Sequence, residues 1–540
     1  MIVGCMKKLM SSVGKLLLLV MVVISGEGCS NGFSKPDIKR SSNDNGEMNK
    51  KIDLELTSIH PFSAYDTLLL SELHQYYLLK SRTLWISEGH LSQQALEVRQ
   101  LLNNSYLYGL LNGWYQIPLS FNGVADTTEL IGKDVNYLIK EDVLFSWSLV
   151  RFLMHLNIGI AHSKELTPDS VAVNKIMKSF IALSEGNNPR TVVSGLEPVM
   201  PFYQQLKQQL PYFSIFFNHF LIGSSNPDDK EKQAIWKLMQ LSGFYRHVNS
   251  FNDKEFELLI ATWQKYNHLN SDGKFSFETR KALLNQAMDL CGKISLNIER
   301  IRHNPPNRSD YLWVNIPAFM LYACHDSVVK EQWKVIVGKP KTPTPIITSY
   351  MSHVLTYPPW NIPPSIVIGE VIPEMKKDSL YLKKKGYVIT NWSGNRLNPS
   401  LVSIFSYSLS SNPYNIMQPP GEDNALGILK FLFDNDNTVY IHDTNSRSLF
   451  SRNYRAFSHG CIRVNDPYRL AHYLLNDNQE EIMYSQLRSK RTGHIKINKE
   501  IGVCIRYLTC GFDNQGNIIF YPDLYNRDAG ELLATGLRFN

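Results

Sequence analysis

From about Tyr65 to Phe251 the apolar residues return at intervals of three and four. In Leu91–Leu111 the series Leu91, Ala95, Val98, Leu102 and Tyr106 falls on one helical face. The segment Asp134–Leu156 predicts a second helix with Val135, Leu138, Val143, Leu144 and Trp147 on one side. A shorter unit follows over 253–286. Phe256, Leu259, Trp263, Tyr266 and Leu269 precede Asn270-Ser-Asp-Gly273, and Phe275, Phe277, Thr279 and Leu283 come after it. This predicts a helix, an Asp-Gly turn and a second helix. From Tyr311 the pattern changes to strands: Tyr311–Ile316, Trp333–Val337 closed by Gly338, Thr438–Ile441, Gly493–Ile497 and Ile505–Phe512. Asp513–Asn517 predicts a hairpin turn into Ile518–Tyr521, and a helix opens near Asp466-Pro467. The pattern as a whole predicts a multidomain α+β chain. A helical scaffold covers 53–250, a small helical unit 251–290, and a mostly-β domain 309–525.

The N-terminus adds an address. Lys7, Lys8 and Lys15 precede the apolar run Leu16–Ile24, and Ser25, Gly26 and Gly28 follow it. That order predicts an export signal over 1–29 and a periplasmic location, since nine apolar residues fall short of the roughly 20 that span a bilayer. Cys29 stands where a bacterial lipoprotein signal places its lipidated cysteine, although Gly26 and Glu27 depart from that pattern. Lipid anchoring and simple cleavage both stay open. Residues 30–52 are rich in Ser, Asn and Lys and predict a flexible tether.

Composition narrows the class. With 540 residues, 43% hydrophobic, the chain can build real cores. A net charge of +7 spread along it lacks the clustering of a nucleic-acid binder and suits a weakly anionic partner such as a wall polymer. Seven cysteines are too few for a disulfide-stapled scaffold. Cys504 and Cys510, six apart on one predicted strand, would lie about 20 Å apart, too far to bridge.

Candidate chemistry sits in Tyr440-Ile-His-Asp-Thr444 and Ser458-His-Gly-Cys-Ile-Arg463. A cysteine beside a flexible glycine is exposed to substrate, and a nearby imidazole can take its proton. Gly460 lets the backbone bend so that amide N–H groups approach a reacting carbonyl as an oxyanion hole. Arg463 offers a two-pronged site for a substrate carboxylate; Arg455 either shares that task or faces water. Spacing does not choose the base between His442 and His459. A zinc site is rejected, because no four-ligand cluster at close spacing occurs.

Ser458-His-Gly-Cys-Ile-Arg463 after a strand ending in His442 resembles the L,D-transpeptidase (YkuD-type) signature. The resemblance implies that Cys461 is the nucleophile and His442 the base, held by the main-chain oxygen of Asp443. It implies that His459, Gly460 and the Cys461 amide support the oxyanion. Val314-Asn-Ile-Pro-Ala318, Val337-Gly-Lys-Pro340, Thr344-Pro345, Trp360-Asn-Ile-Pro-Pro364, Gln418-Pro-Pro-Gly421 and Asn424-Ala-Leu-Gly427 resemble the larger, YcbB-like periplasmic branch. That branch implies a capping insertion at about 370–412, where Lys376, Lys377, Lys383, Lys384 and Lys385 read as a solvated face or as part of a mobile lid. Leu269-Asn-Ser-Asp-Gly-Lys-Phe-Ser-Phe-Glu-Thr279 resembles a peptidoglycan-binding repeat without its second glycine. Tyr440, Ser458, Trp360 and Asn424 complete the candidate substrate-binding set with Arg463 and Arg455.

The implied reaction joins two peptidoglycan stem peptides by a 3→3 cross-link through a thioester, with no cofactor. A tetrapeptide stem is the donor, and a stem diamino acid supplies the acceptor amine. The scaffold could dock other wall-synthesis proteins; nucleic acid is not an expected partner. Water or a wall protein could replace the acceptor, making a carboxypeptidase, a hydrolase or an attachment enzyme. A non-catalytic wall-binding scaffold is the alternative of a different class. The family also implies acylation of Cys461 by carbapenems.

Overall fold

Helices start where the sequence supplies a side-chain acceptor for the orphan N–H groups of the first turn. The computed structural model describes residues 42–115, 117, 130, 132–164, 167–217, 220, 226–244, 252–303, 308–399, 407–408 and 414–537. The signal and Cys29 lie outside the described residues. Part of the expected tether does not: residues 42–52 belong to helix α1 (Ser42–Ser58), in which Ile52 and Leu56 are buried. Ile52 and Leu56, four apart, lie on one face of the later part of this helix. Residues from Lys51 onward form one compact unit.

In that unit, α2 (Ala64–Lys80) opens on Ser63, α3 (Gln93–Asn103) on Ser92 and α4 (Val135–Ile158) on Asp134. Each cap accepts a backbone N–H at 3.0–3.1 Å. Helix α3 buries Ala95, Val98 and Leu102. Helix α4 corrects the one-sided reading: Val135 is exposed and Leu144 half-buried, while nearly every residue from Glu141 to Leu156 is buried. It is central, touching α2, α3, α5 (Ser170–Ser184) and the later helix α8 (Phe277–Arg302). Its buried Asp142 is enclosed by donors. Leu84, Trp85 and Ile86 give it backbone N–H bonds of 2.7–3.1 Å, and the Tyr77 hydroxyl one of 2.6 Å. Burial raises its pKa to about 6 against these bonds.

Helix α6 (Asp229–Leu241) is followed by α7 (Asp253–Tyr266) and the Asp-Gly turn. Gln264 fastens that turn, accepting from Gly273 N at 2.8 Å and donating to Lys274 O at 2.8 Å and Thr279 Oγ1 at 2.9 Å. Ser276 caps α8, which fits a serine where the repeat has its second glycine. The expected unit ends at 290, but α8 runs twelve residues further, to Arg302. Leu290, Cys291, Ile294, Ile298 and Ile301 carry its buried face into one core with Tyr311, Trp313, Tyr322, Cys324 and Cys504 of the sheet.

The sheet is built from β1 (Asp310–Asn315), β2 (Met320–His325), β3 (Val328–Gly338) and β4 (Ile347–Thr356). After two insertion strands, β5 (Trp360–Asn361) and β6 (Val388–Thr390), come β7 (Asn415–Gln418), β8 (Leu429–Phe433) and β9 (Ile441–His442). β10 (Ala456–Ser458), β11 (Ile462–Val464), β12 (Gly493–Lys496) and β13 (Gly502–Arg506) follow. The order is β8-β9-β11-β3-β2-β1-β13-β4-β12, with β10 on β3, and β8 also pairs with β4, so the path closes on itself. β1 is apolar on both faces because both are covered. Tyr311 and Trp313 meet the helices; Leu312 and Val314 join Trp333, Val335, Phe431 and Ile462 in a second core.

Two expected strands are shorter. Ile505–Phe512 divides: β13 ends at Arg506, and β14 (Cys510–Phe512) forms a hairpin with β15 (Ile518–Phe520). Side chains take the intervening donors, Leu508 N going to Asn315 Oδ1 at 2.9 Å and Thr509 N to Asn297 Oδ1 at 2.7 Å. The separation argued for Cys504 and Cys510 on a single strand therefore lapses, and both are free, buried thiols. Thr438–Ile441 shrinks to β9 because the Asn435 amide pairs with the backbone of Val439.

The insertion is wider than 370–412. β5, β7 and β6 form their own three-stranded sheet. Its small core runs from Ile362 and Val367 to Tyr414 and Ile416. Within it Lys377 pairs with Glu374 at 2.6 Å and Lys384 with Asp378 at 2.7 Å, as a solvated face would.

Candidate active site

Cys461 directly precedes β11 on a turn that only glycine can make. Gly460 has φ +113°, a region L side chains avoid. The turn is braced from the loop after β3: Lys339 N and Thr342 Oγ1 donate to Ser458 O, and Thr344 Oγ1 donates to Gly460 O at 2.8 Å. Ser458 closes the turn, its hydroxyl donating to Cys461 O at 2.5 Å and accepting from Gly460 N at 3.2 Å. The Gly460 amide is thus engaged within the turn.

His442 lies on β9, beside β11, with His442 in register with Arg463. It is buried, and its Nδ1 donates to the Asp443 carbonyl at 2.5 Å. That bond puts the proton on Nδ1 and leaves Nε2 as the basic nitrogen. The Asp443 carboxylate faces elsewhere, accepting from Arg447 at 2.7 Å and from Ile428 N at 3.1 Å. Gly427 makes room for it, since a Cβ there would stand 2.2 Å from Asp443 Oδ2. Burial, with Arg463 and Lys430 adding to it, holds the His442 pKa down at about 3, against the pull of the Asp443 and Leu426 carbonyls. Burial also pushes the half-buried Cys461 thiol above the ordinary cysteine range. The amide and hydroxyl of Tyr440, Lys430 and Arg463 pull it back. Both shifts favour the uncharged forms, thiol and imidazole.

The remaining candidates divide. Tyr440 hydrogen-bonds to both Cys461 and Trp360, so these two belong to the surroundings of the thiol. Arg463 is half-buried, and its Nε is buried without a partner. His459 donates from Nε2 to Glu370 of the insertion at 2.6 Å. Three candidates for substrate contact are corrected. Arg455 is buried and its guanidinium is spent on the carbonyls of Val335, Arg452 and Phe319 at 2.8–3.1 Å. Asn424 is buried and ties Gln418 O and Pro419 O to Leu426 N. Ser458 is buried within the turn itself. All three shape backbone around the site.

Two residues escaped the sequence reading. Glu370 lies in a π-helical segment, Val367–Val371, with no motif to announce it. Lys430 lies on β8, directly across from His442. The alternation of Leu429, Phe431 and Phe433 inward against Lys430 and Leu432 outward would have located it.

A thiol, a partnered imidazole and a glycine turn on the outer face of a closed sheet are the groups that a cysteine acyl transfer requires. Comparison shows what this part of the chain is similar to. Residues 309–482 match the family model of the YkuD L,D-transpeptidase catalytic domain, and residues 71–210 match a scaffold-domain model. A Haemophilus influenzae protein named "Putative L,D-transpeptidase" is 34% identical over 238 residues, 44% of this chain and 48% of that protein. The match spans about half the length of that relative. The stretch that matches the catalytic family model contains both His442 and Cys461.

Proposed function

We propose that this protein is a cysteine-dependent L,D-transpeptidase that forms 3→3 cross-links between peptidoglycan stem peptides. The observation that carries the reading is His442, held by the Asp443 carbonyl, one strand from Cys461 inside the segment that matches the catalytic family. Nε2 of His442 takes the thiol proton as sulfur attacks the carbonyl between the stem diamino acid and the terminal D-Ala. The tetrahedral oxyanion is held by the Cys461 amide with His459 beside it. As the C–N bond breaks, His442 returns the proton to the departing D-Ala amine, leaving a thioester on Cys461. An acceptor amine attacks that thioester, its proton passing through His442 to the released thiolate. The same acyl transfer would let carbapenems acylate Cys461. The N-terminal pattern supports action outside the cytoplasm, on the wall.

The test is intact mass of the signal-free protein and product analysis after incubation with tetrapeptide muropeptides. Cys461→Ala and His442→Ala run beside it. The expected result is a thioester adduct and a cross-linked dimer, lost in Cys461→Ala and slowed about 100-fold or more in His442→Ala. Release of D-Ala without a dimer would make water the acceptor and overturn the transferase reading. Turnover that survives in Cys461→Ala would overturn the nucleophile.

A further inference from the structure

Beyond the thiol and its base, the outer face of the sheet carries a cationic row. In register, Lys430 of β8 stands across from His442 of β9, and His442 across from Arg463 of β11. The row ends in apolar residues, Leu355 of β4 beyond Lys430 and Ile336 of β3 beyond Arg463. The Lys430 ammonium lies 3.7 Å from the centroid of the Tyr440 ring, and the Tyr440 hydroxyl bonds to Cys461. Among the described residues neither Lys430 nor Arg463 has an ion pair, and the buried Nε of Arg463 lacks a hydrogen-bond partner.

The charged groups around the row do not neutralise it. Asp443, next to His442, is engaged by Arg447 and the Ile428 amide. Glu370, reaching in from the insertion, is engaged by His459 at 2.6 Å and lies 3.8 Å from Lys339. From the insertion strand β5, Trp360 reaches Tyr440 as a neutral group. Two half-buried cations flank a neutral imidazole, and nothing in register with them is acidic. Placing two like charges beside a buried histidine is costly unless a negative charge forms between them.

We propose that Lys430 is a positioning residue for the nucleophile: its ammonium, seated on the Tyr440 ring and balanced by Arg463 across His442, supplies the positive potential in which the Cys461 thiolate forms. The proposal deepens the acyl-transfer reading and rests on Cys461 as its nucleophile. It makes Lys430 the charge that offsets the desolvation of the sulfur, whereas His442 handles the proton. An arginine would keep the charge; a methionine would keep the length and lose it.

The test is the rate of iodoacetamide alkylation at Cys461 against pH, followed by peptide mass, in the wild type, Lys430→Met and Lys430→Arg. Melting curves confirm that each variant is folded. Removing a nearby cation destabilises the thiolate, so Lys430→Met is expected to alkylate about three- to tenfold more slowly at pH 8, with its inflection moved to higher pH. Lys430→Arg is expected to return most of the rate. A Lys430→Met profile superimposed on the wild type would overturn the proposal. Equal slowing in folded Lys430→Met and Lys430→Arg would also overturn it, by making shape rather than charge responsible. The readout needs no muropeptide. A chain that shows the Lys430 dependence but leaves tetrapeptides untouched would sink the transpeptidase reading and keep this one.

Discussion

His442 and Cys461 are set by burial against a few named partners. The imidazole is held at about 3 by burial, Arg463 and Lys430, so it is neutral across the whole range from pH 5 to 8. The thiol is pushed up by burial, so its ionised fraction grows only on the alkaline side. For the wild type, alkylation of Cys461 is therefore expected to rise monotonically into the alkaline range with no step between pH 5 and 8. A step or plateau near pH 6–7 would show that a thiolate–imidazolium pair exists at rest, and would contradict this electrostatic picture. The three arginines of the region show how little residue type alone decides. Arg463 keeps an unpartnered buried Nε, Arg447 binds Asp443, and Arg455 binds three carbonyls. All three look alike in sequence, and only the neighbours of each guanidinium separate them.

The insertion and the Ser458–Cys461 turn meet through Glu370. The turn is fixed from below by Lys339, Thr342 and Thr344. From the insertion side it is met by the carboxylate of a π-helical segment with its own small core. A half-exposed pair of this kind contributes about 1 kcal/mol or less to global stability. Its effect is local: it restrains the segment that carries it. Glu370→Ala is expected to leave the melting temperature nearly unchanged while amide hydrogen exchange over 364–377 quickens severalfold. Unchanged exchange there would mean that the pair does not hold the insertion to the turn.

Helix α8 belongs at once to the helical region and to the sheet. Its face packs into a core shared with Phe256 and Trp263 on one side and Tyr311 and Trp313 on the other. Asn297 bridges to the sheet end, accepting from Thr509 N at 2.7 Å and donating to Thr509 Oγ1 at 3.1 Å. Arg300 continues the seam to Asp528 at 2.8 Å and Glu531 at 2.7 Å, on the closing helix Asp528–Thr535. A shared core makes the two parts unfold together. One cooperative thermal transition is expected for the chain from Lys51 on. Asn297→Leu, which strands the buried Thr509 amide, is expected to lower that single transition by about 2–3 kcal/mol. Two separated transitions in the wild type, or a loss in the variant confined to one half, would show that α8 does not couple them.

The sequence by itself determined what depends on near neighbours along the chain. Local periodicity determined the helices and the main strands, because a helix or strand face must match its own spacing. Tyr440-Ile-His-Asp-Thr444 and Ser458-His-Gly-Cys-Ile-Arg463 isolated the thiol and two candidate bases, because a glycine turn and a strand end are local devices, and the resemblance of the signature, not its spacing, singled out His442. Tertiary structure alone decided what depends on distant partners. It assigned Arg455 and Asn424 to backbone support, because carbonyls far away in sequence or across a loop claim their donors. It split Ile505–Phe512, because Asn297 and Asn315 take its amides. It brought Lys430 into register with His442 and Arg463 and set Glu370 on His459, since hydrogen-bonded register and a close insertion contact are relations between segments that no single segment encodes.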